Sequence, residues 1–107
     1  MTRATISTHV LDLSAGKPAA DIGVTLLADG ETEVGEGRTG ADGRIAQLAP
    51  DGVEPGTYRL VFELEDYFGE HPHLFEMVAL DLLIDEGRHY HVPLLISPFG
   101  LSSYRGS

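Results

Sequence analysis

The feature that most constrains this chain is a period-two alternation of apolar and polar residues, cut at short intervals by glycine, proline and aspartate. Successive side chains of a strand point to opposite faces, so such a pattern specifies half-buried strands joined by turns. The clearest case follows Pro55-Gly56, where Tyr58, Leu60, Phe62 and Leu64 share one face while Arg59, Val61, Glu63 and Glu65 take the other. Thr5 to Leu13 alternates likewise, with Ser7, His9, Leu11 and Leu13 on one side and Ile6, Thr8 and Val10 on the other. Further strands are expected over Asp21 to Asp29, Glu33 to Arg38, Leu74 to Ile84 and Arg88 to Ile96, with a last short one over Leu101 to Arg105. Asp42-Gly43 turns the chain into Arg44-Ile45-Ala46. Glu65 to His71 breaks the alternation and predicts one or two helical turns, stopped before Pro72. About seven or eight short strands at this spacing predict an all-β protein, an antiparallel β-sandwich with one short helix. Residues 1–107 are expected to form a single domain.

Charge and composition then remove whole classes of function. The chain has 17 acidic against 7 basic side chains, a formal charge of −10. That surplus argues against nucleic acid, which needs a basic face to displace counterions, and against anionic membranes. With no cysteine there is no disulfide framework, thiolate metal site or thiol nucleophile. The first ten residues, Met1 to Val10, lack the apolar run of a signal peptide, and apolar stretches such as Val78-Ala79-Leu80 are far too short to span a bilayer. A cytoplasmic protein is therefore expected. A chain of this size hides only roughly 60–70% of its unfolded surface, so a lone copy has a modest core.

The residues able to carry chemistry are mostly histidines. His9 lies mid-strand on a face with Leu11 and Leu13. Such a residue is more often a hydrogen-bonded core or interface histidine than a catalyst. His89 and His91, two apart on one strand, share a face with Pro93 and Leu95. Two imidazoles so placed suit zinc, with His9 as a third ligand if the two strands lie together. Spacing marks no carboxylate partner, however, and His71-Pro72-His73 reads as solvated surface. Pro93 cannot donate to a ladder, so it predicts a sheet edge, a bulge or a strand end, a plausible meeting place for two subunits. Arg44 follows its turn either as a solvated side chain or as a planar clamp for an anion or carbonyl. The terminal Tyr104-Arg105-Gly106-Ser107 is unusual for the end of an acidic chain.

Three blocks together resemble the 5-hydroxyisourate hydrolase family of transthyretin-like enzymes. They are Ile6-Ser7-Thr8-His9-Val10-Leu11-Asp12 with Gly16-Lys17-Pro18-Ala19, then Thr39-Gly40-Ala41-Asp42-Gly43-Arg44, then His89-Tyr90-His91-Val92-Pro93-Leu94-Leu95 with Ser97-Pro98 and the terminal tetrapeptide. The chain departs from the family in having Leu101-Ser102-Ser103 where an aromatic residue and Ser-Thr are usual. The resemblance implies a transthyretin-like sandwich that opens the cyclic amide of 5-hydroxyisourate, giving 2-oxo-4-hydroxy-4-carboxy-5-ureidoimidazoline, in urate degradation. It implies a pocket lined by His9, Arg44, His91 and Tyr104 with Ser107 nearby, located at a subunit interface of a homotetramer. His9 and His91 would activate water, and Arg44 would stabilise the oxyanion or hold a carbonyl. Tyr104 would orient the ring, and Arg105 would add positive charge or anchor the tail. No metal or other cofactor is then required. The competing expectation on the same sandwich is a non-catalytic small-molecule carrier. Transthyretin, the hormone carrier, shares the fold but lacks the terminal tetrapeptide and the catalytic histidines.

Overall fold

The computed structural model describes residues 3–106. Nine strands and one helical turn follow in the order β1 (Thr5–Asp12), β2 (Lys17–Pro18), β3 (Gly23–Ala28), β4 (Thr32–Arg38), β5 (Arg44–Ile45), β6 (Gly56–Glu63), α1 (Glu65–Phe68), β7 (Met77–Ile84), β8 (His89–Ser97) and β9 (Gly100–Ser103). They form two sheets, one ordered β2-β1-β8-β9 with β5 also paired to β1, the other β4-β3-β6-β7. The all-β sandwich expected from the alternation is the architecture found.

The alternation explains which face each strand hides. Ile6, Val10, Tyr90, Val92, Leu94 and Ile96 of the first sheet are buried, as are Val24, Leu26, Tyr58, Leu60 and Phe62 of the second. Each side chain so enclosed contributes about 1.5–3 kcal/mol relative to exposure. Among polar groups, Thr8 is also buried and donates its hydroxyl to the Val92 carbonyl at 2.7 Å.

One ladder departs from the antiparallel expectation: β1 and β8 run parallel, from Thr5 opposite His89 to Asp12 opposite Ile96. Alternation encodes which residues share a face and is silent on the direction of the neighbouring strand. Strand ends shift for local reasons. β3 begins at Gly23 because Asp21 takes a positive φ of 61° and the Ile22 amide donates to Thr39 Oγ1 instead of a strand. β7 begins at Met77 because the preceding Glu76 carbonyl accepts the amides of Leu64 and Glu65 at the start of α1. The helical turn is pinned from its other side by Tyr67, whose hydroxyl donates to Asp12 Oδ2 at 2.6 Å. Burial and that bond push the Tyr67 pKa up to about 12. Burial also works to raise the Asp12 carboxyl, but the bonds from Ser14, Tyr67 and Ala15 outweigh it and hold the group below its ordinary value.

Pro93 is not on an outer strand, since β8 lies between β1 and β9. The β8–β9 ladder, however, covers only Leu94 to Ser97, and His91 meets the chain again through a single bridge to Gly106. Proline occupies the gap between these two pairings, where its carbonyl accepts the Ser103 hydroxyl at 2.7 Å. The missing N–H therefore falls where the ladder is interrupted.

Candidate active site

The parallel register of β1 and β8 assembles the polar side chains. It sets Thr5 opposite His89, Ser7 opposite His91 and His9 opposite Pro93. On the other edge of β1, β5 sets Arg44 opposite His9. Paired residues share a face, so Ser7, His9, Arg44, His89 and His91 all stand on the side of the sheet turned away from the core. The turn before Arg44 is held tightly against β1. Gly43 has φ 78° and its carbonyl accepts the Val10 amide at 2.8 Å, while a Cβ there would collide with the Val10 carbonyl oxygen. Asp42 Oδ1 accepts the Arg44 amide at 3.0 Å and fixes where the guanidinium starts.

Ser7, Thr8, Arg44, Ile45, Ala46, His89 and His91 line an open groove of about 410 Å³. Along one wall runs an unbroken line of hydrogen-bonding groups. Thr5 Oγ1 lies 2.7 Å from His89 Nδ1, His89 Nε2 lies 2.8 Å from Ser7 Oγ, and Ser7 Oγ lies 2.7 Å from His91 Nδ1. Ser7 thus engages one nitrogen of each ring, leaving His91 Nε2 as the nitrogen available to a bound molecule. Burial lowers the His91 pKa below its ordinary value of 6.5, and the nearby positive charge of Arg44, with lesser contributions from His89 and His9, lowers it further. A neutral imidazole close to a permanent cation is a suitable proton acceptor.

His9 is not in the groove lining. Its Nε2 lies 2.9 Å from the Asp42 carbonyl oxygen, which can only accept, so Nε2 carries the proton and Nδ1 the lone pair. It nevertheless sits within electrostatic reach of His91.

The end of the chain folds back onto the same wall. The Gly106 amide donates to the His91 carbonyl at 2.8 Å, and a Cβ on Gly106 would lie 2.6 Å from His91 Cδ2. Glycine is what allows the backbone to lie against the imidazole. Tyr104 and Arg105, in contrast, line a separate cavity of about 400 Å³ with Leu80, Leu82, Tyr90 and Val92, at the open side of the sandwich beside β7. Within one chain, then, Arg44 and His91 share a groove, His9 lies directly across the ladder from Arg44, and Tyr104 lies apart. Ser107 lies outside the described residues.

No three of the histidine and carboxylate side chains among the described residues are placed to hold a metal ion together. The arrangement that suggested zinc is used differently, with both nitrogens of His89 and one of His91 directed at hydroxyls. Thr5, Ser7 and Gly106 were not among the expected site residues. A signal for the first two was present, since they precede His9 by four and two positions on the same strand face.

The arrangement suits attack of water on a carbonyl, with imidazole taking the proton and guanidinium facing the developing oxyanion. Comparisons with known proteins point the same way. Residues 6–106 match the model of the HIUase/Transthyretin family. The chain is 41% identical to 5-hydroxyisourate hydrolase of Caulobacter vibrioides, over 95% of this chain and 97% of that one. Its structure is similar to that of Klebsiella pneumoniae 5-hydroxyisourate hydrolase, with a TM-score of 0.88 and 37% identity over 100% and 97% of the two chains. Transthyretin from Sparus aurata is also similar, with a TM-score of 0.83 and 29% identity over 94% and 95%.

Proposed function

The chain belongs to the HIUase/Transthyretin family, and from that premise we propose that it hydrolyses 5-hydroxyisourate. The observation that carries the proposal is the shared face of His9, Arg44 and His91, with His91 Nε2 lacking a hydrogen-bond partner among the described residues beside the Arg44-lined groove. The carrier alternative leaves a neutral, hydroxyl-oriented histidine beside a cation without a task.

In the reaction, a water oxygen bonds to the carbonyl carbon of the cyclic amide while its proton passes to an imidazole. His91 takes that role in this proposal, and His9 completes the water-activating pair through Nδ1. Arg44 faces the oxygen on which negative charge develops and acts as an oxyanion donor. The carbon–nitrogen bond then breaks, and the leaving nitrogen recovers the proton from the imidazole. Of the terminal residues, Tyr104 and Ser107 bind the substrate ring, and Arg105 anchors the tail or adds positive charge. The contact of Gly106 with His91 supports this, because it brings the tail beside the reacting group.

The proposal extends to a cytoplasmic single-domain homotetramer acting in urate degradation, with its sites between subunits. Exposed Leu13, just past β1, and exposed Leu83 and Tyr104, beside the second cavity, support such contacts. So does the openness of the groove in a single chain. The direct test follows the absorbance of freshly generated 5-hydroxyisourate with and without the protein, corrected for spontaneous hydrolysis. Acceleration proportional to protein concentration is expected, and decay at the spontaneous rate would overturn the assignment. Light scattering during size exclusion checks the tetramer.

A further inference from the structure

We propose that Thr5, His89, Ser7 and His91 form a proton relay that carries the proton taken from water away from the groove to exposed His89. The inference rests on the hydrolytic reading above and assigns relay roles to Ser7 and His89 and a positioning role to Thr5, three residues that reading does not use.

The distances leave few arrangements open. A hydroxyl has one proton, so Ser7 Oγ, 2.8 Å from His89 Nε2 and 2.7 Å from His91 Nδ1, donates to one ring and accepts from the other. With both rings neutral, just two directions are self-consistent. In the first, His91 Nδ1–H donates to Ser7, the Ser7 hydroxyl donates to His89 Nε2, and His89 Nδ1–H donates to Thr5 Oγ1. This direction leaves the lone pair of His91 on Nε2. In the second, every bond is reversed, and His91 Nε2 carries a proton instead.

The relay starts from the first of these states. When water's oxygen bonds to the carbonyl carbon, its proton goes to His91 Nε2. His91 Nδ1 passes its own proton to Ser7 Oγ as the Ser7 hydroxyl proton moves to His89 Nε2. Ser7 ends neutral, His91 ends neutral with its proton on Nε2, and His89 holds the positive charge with Nδ1–H still on Thr5. Run backward, the relay supplies the proton for the leaving nitrogen.

Among the described residues, the charged or titratable groups that act on His91 are Arg44, His89 and His9. Holding the charge on His91 would keep a cation beside Arg44 in a half-buried site. Moving it to His89, which is exposed at the start of β8, places it against solvent. Ser7 is itself buried, so bulk water does not replace its hydroxyl in the line.

The test uses the full chain with Ser7→Ala, a small buried change, and His89→Ala, an exposed one. Both are expected to lower kcat about tenfold to a hundredfold with KM within about twofold. Imidazole added to the buffer should restore His89→Ala in proportion to its concentration and leave Ser7→Ala unrestored. Unchanged kcat in His89→Ala, or loss without imidazole response, overturns the relay; if Ser7→Ala does not fold, His89→Ala decides alone. A substrate-free reading separates this from failure of the hydrolytic assignment. Nitrogen NMR of the imidazoles in the wild-type chain should show His89 and His91 titrating as a coupled pair. Independent titrations would overturn the relay even with hydrolysis intact, and coupled ones would support it even with another substrate.

Discussion

The two sheets share a core but treat their outer faces in opposite ways. Within the strands of the β1-bearing sheet, Asp12 is the sole acidic residue, and its carboxylate is satisfied by Ser14, Ala15 and Tyr67. The strands of the other sheet carry Glu33, Glu36, Glu63 and Asp81, and its basic residues are tied to neighbours, Arg38 to Asp21 and Arg59 to Asp81, each at 2.7 Å. One face therefore presents histidines held by hydroxyls and a carbonyl, together with the Arg44 guanidinium, which has no ion-pair partner among the described residues. The other presents a solvated mosaic of ion pairs. The net charge of −10 does not describe the groove, whose lining among the described residues holds no acidic side chain. An electron-rich substrate can then approach Arg44 on a protein that is acidic as a whole.

If the sheets differ in this way, the sharpest break comes from Arg44, the cation among the described residues that line the groove. Arg44→Ala removes the guanidinium from an exposed position in the two-residue β5, where no core side chain depends on it. We expect kcat/KM for 5-hydroxyisourate to fall on the order of 10²–10³, with circular dichroism and Tm unchanged. Retained activity would remove Arg44 from the chemistry and the functional contrast with it.

Gly106→Ala tests whether the chain end belongs to that face. The added methyl would lie 2.6 Å from His91 Cδ2 and 3.3 Å from its Cβ and Cγ, while Ser7 holds the far side of the ring. Either the tail lifts or the ring turns off its hydroxyl. Activity should drop about tenfold or more at nearly constant Tm, since a terminal residue supports little of the core. Full activity would show that the tail's contact is incidental.

A smaller effect separates burial from charge in the groove. His91 is held below its ordinary pKa first by burial and then by Arg44, so its neutral form is the favoured one when folded. The unfolded chain binds this proton more readily, and the resulting stability is present above about pH 6.5 and lost as pH falls through the lower folded value. Activity that needs neutral His91 should decline over the same acid range. In Arg44→Gln the cation is gone but the burial remains, so the NMR titration of His91 should move upward. An unmoved titration would mean that Arg44 does not act on His91.

Much of this was legible in the sequence, and the gaps have physical causes. Alternation placed Tyr58, Leu60 and Phe62 in the core and His89 with His91 on one face, because side-chain direction in a strand is a local property. Three blocks of residues were enough to mark the family. The parallel pairing of β1 with β8 was not legible, since partner direction is set by the whole topology. Ser7 escaped notice for that reason, because its importance comes from standing opposite His91 across that ladder. Gly106 escaped because its role is the absence of a side chain against a ring distant in sequence.

The least expected effect lies on the opposite sheet and sets the floor of the comparison. Arg59 and Asp81 face each other across β6 and β7, and the hydrogen bond from Arg59 holds the Asp81 carboxyl below its ordinary pKa. Both groups are solvent-exposed, where salt and side-chain entropy offset most of the attraction. Asp81→Asn keeps the shape and removes the charge. It should leave kcat/KM within about twofold and move Tm by no more than about 2 °C, a shift that shrinks further in high salt. Asp81 also borders the cavity that contains Tyr104 and Arg105. A large loss of activity in Asp81→Asn would therefore mean that the ion-paired sheet reaches the reaction through the chain end, and the functional division between the faces would fail at that cavity.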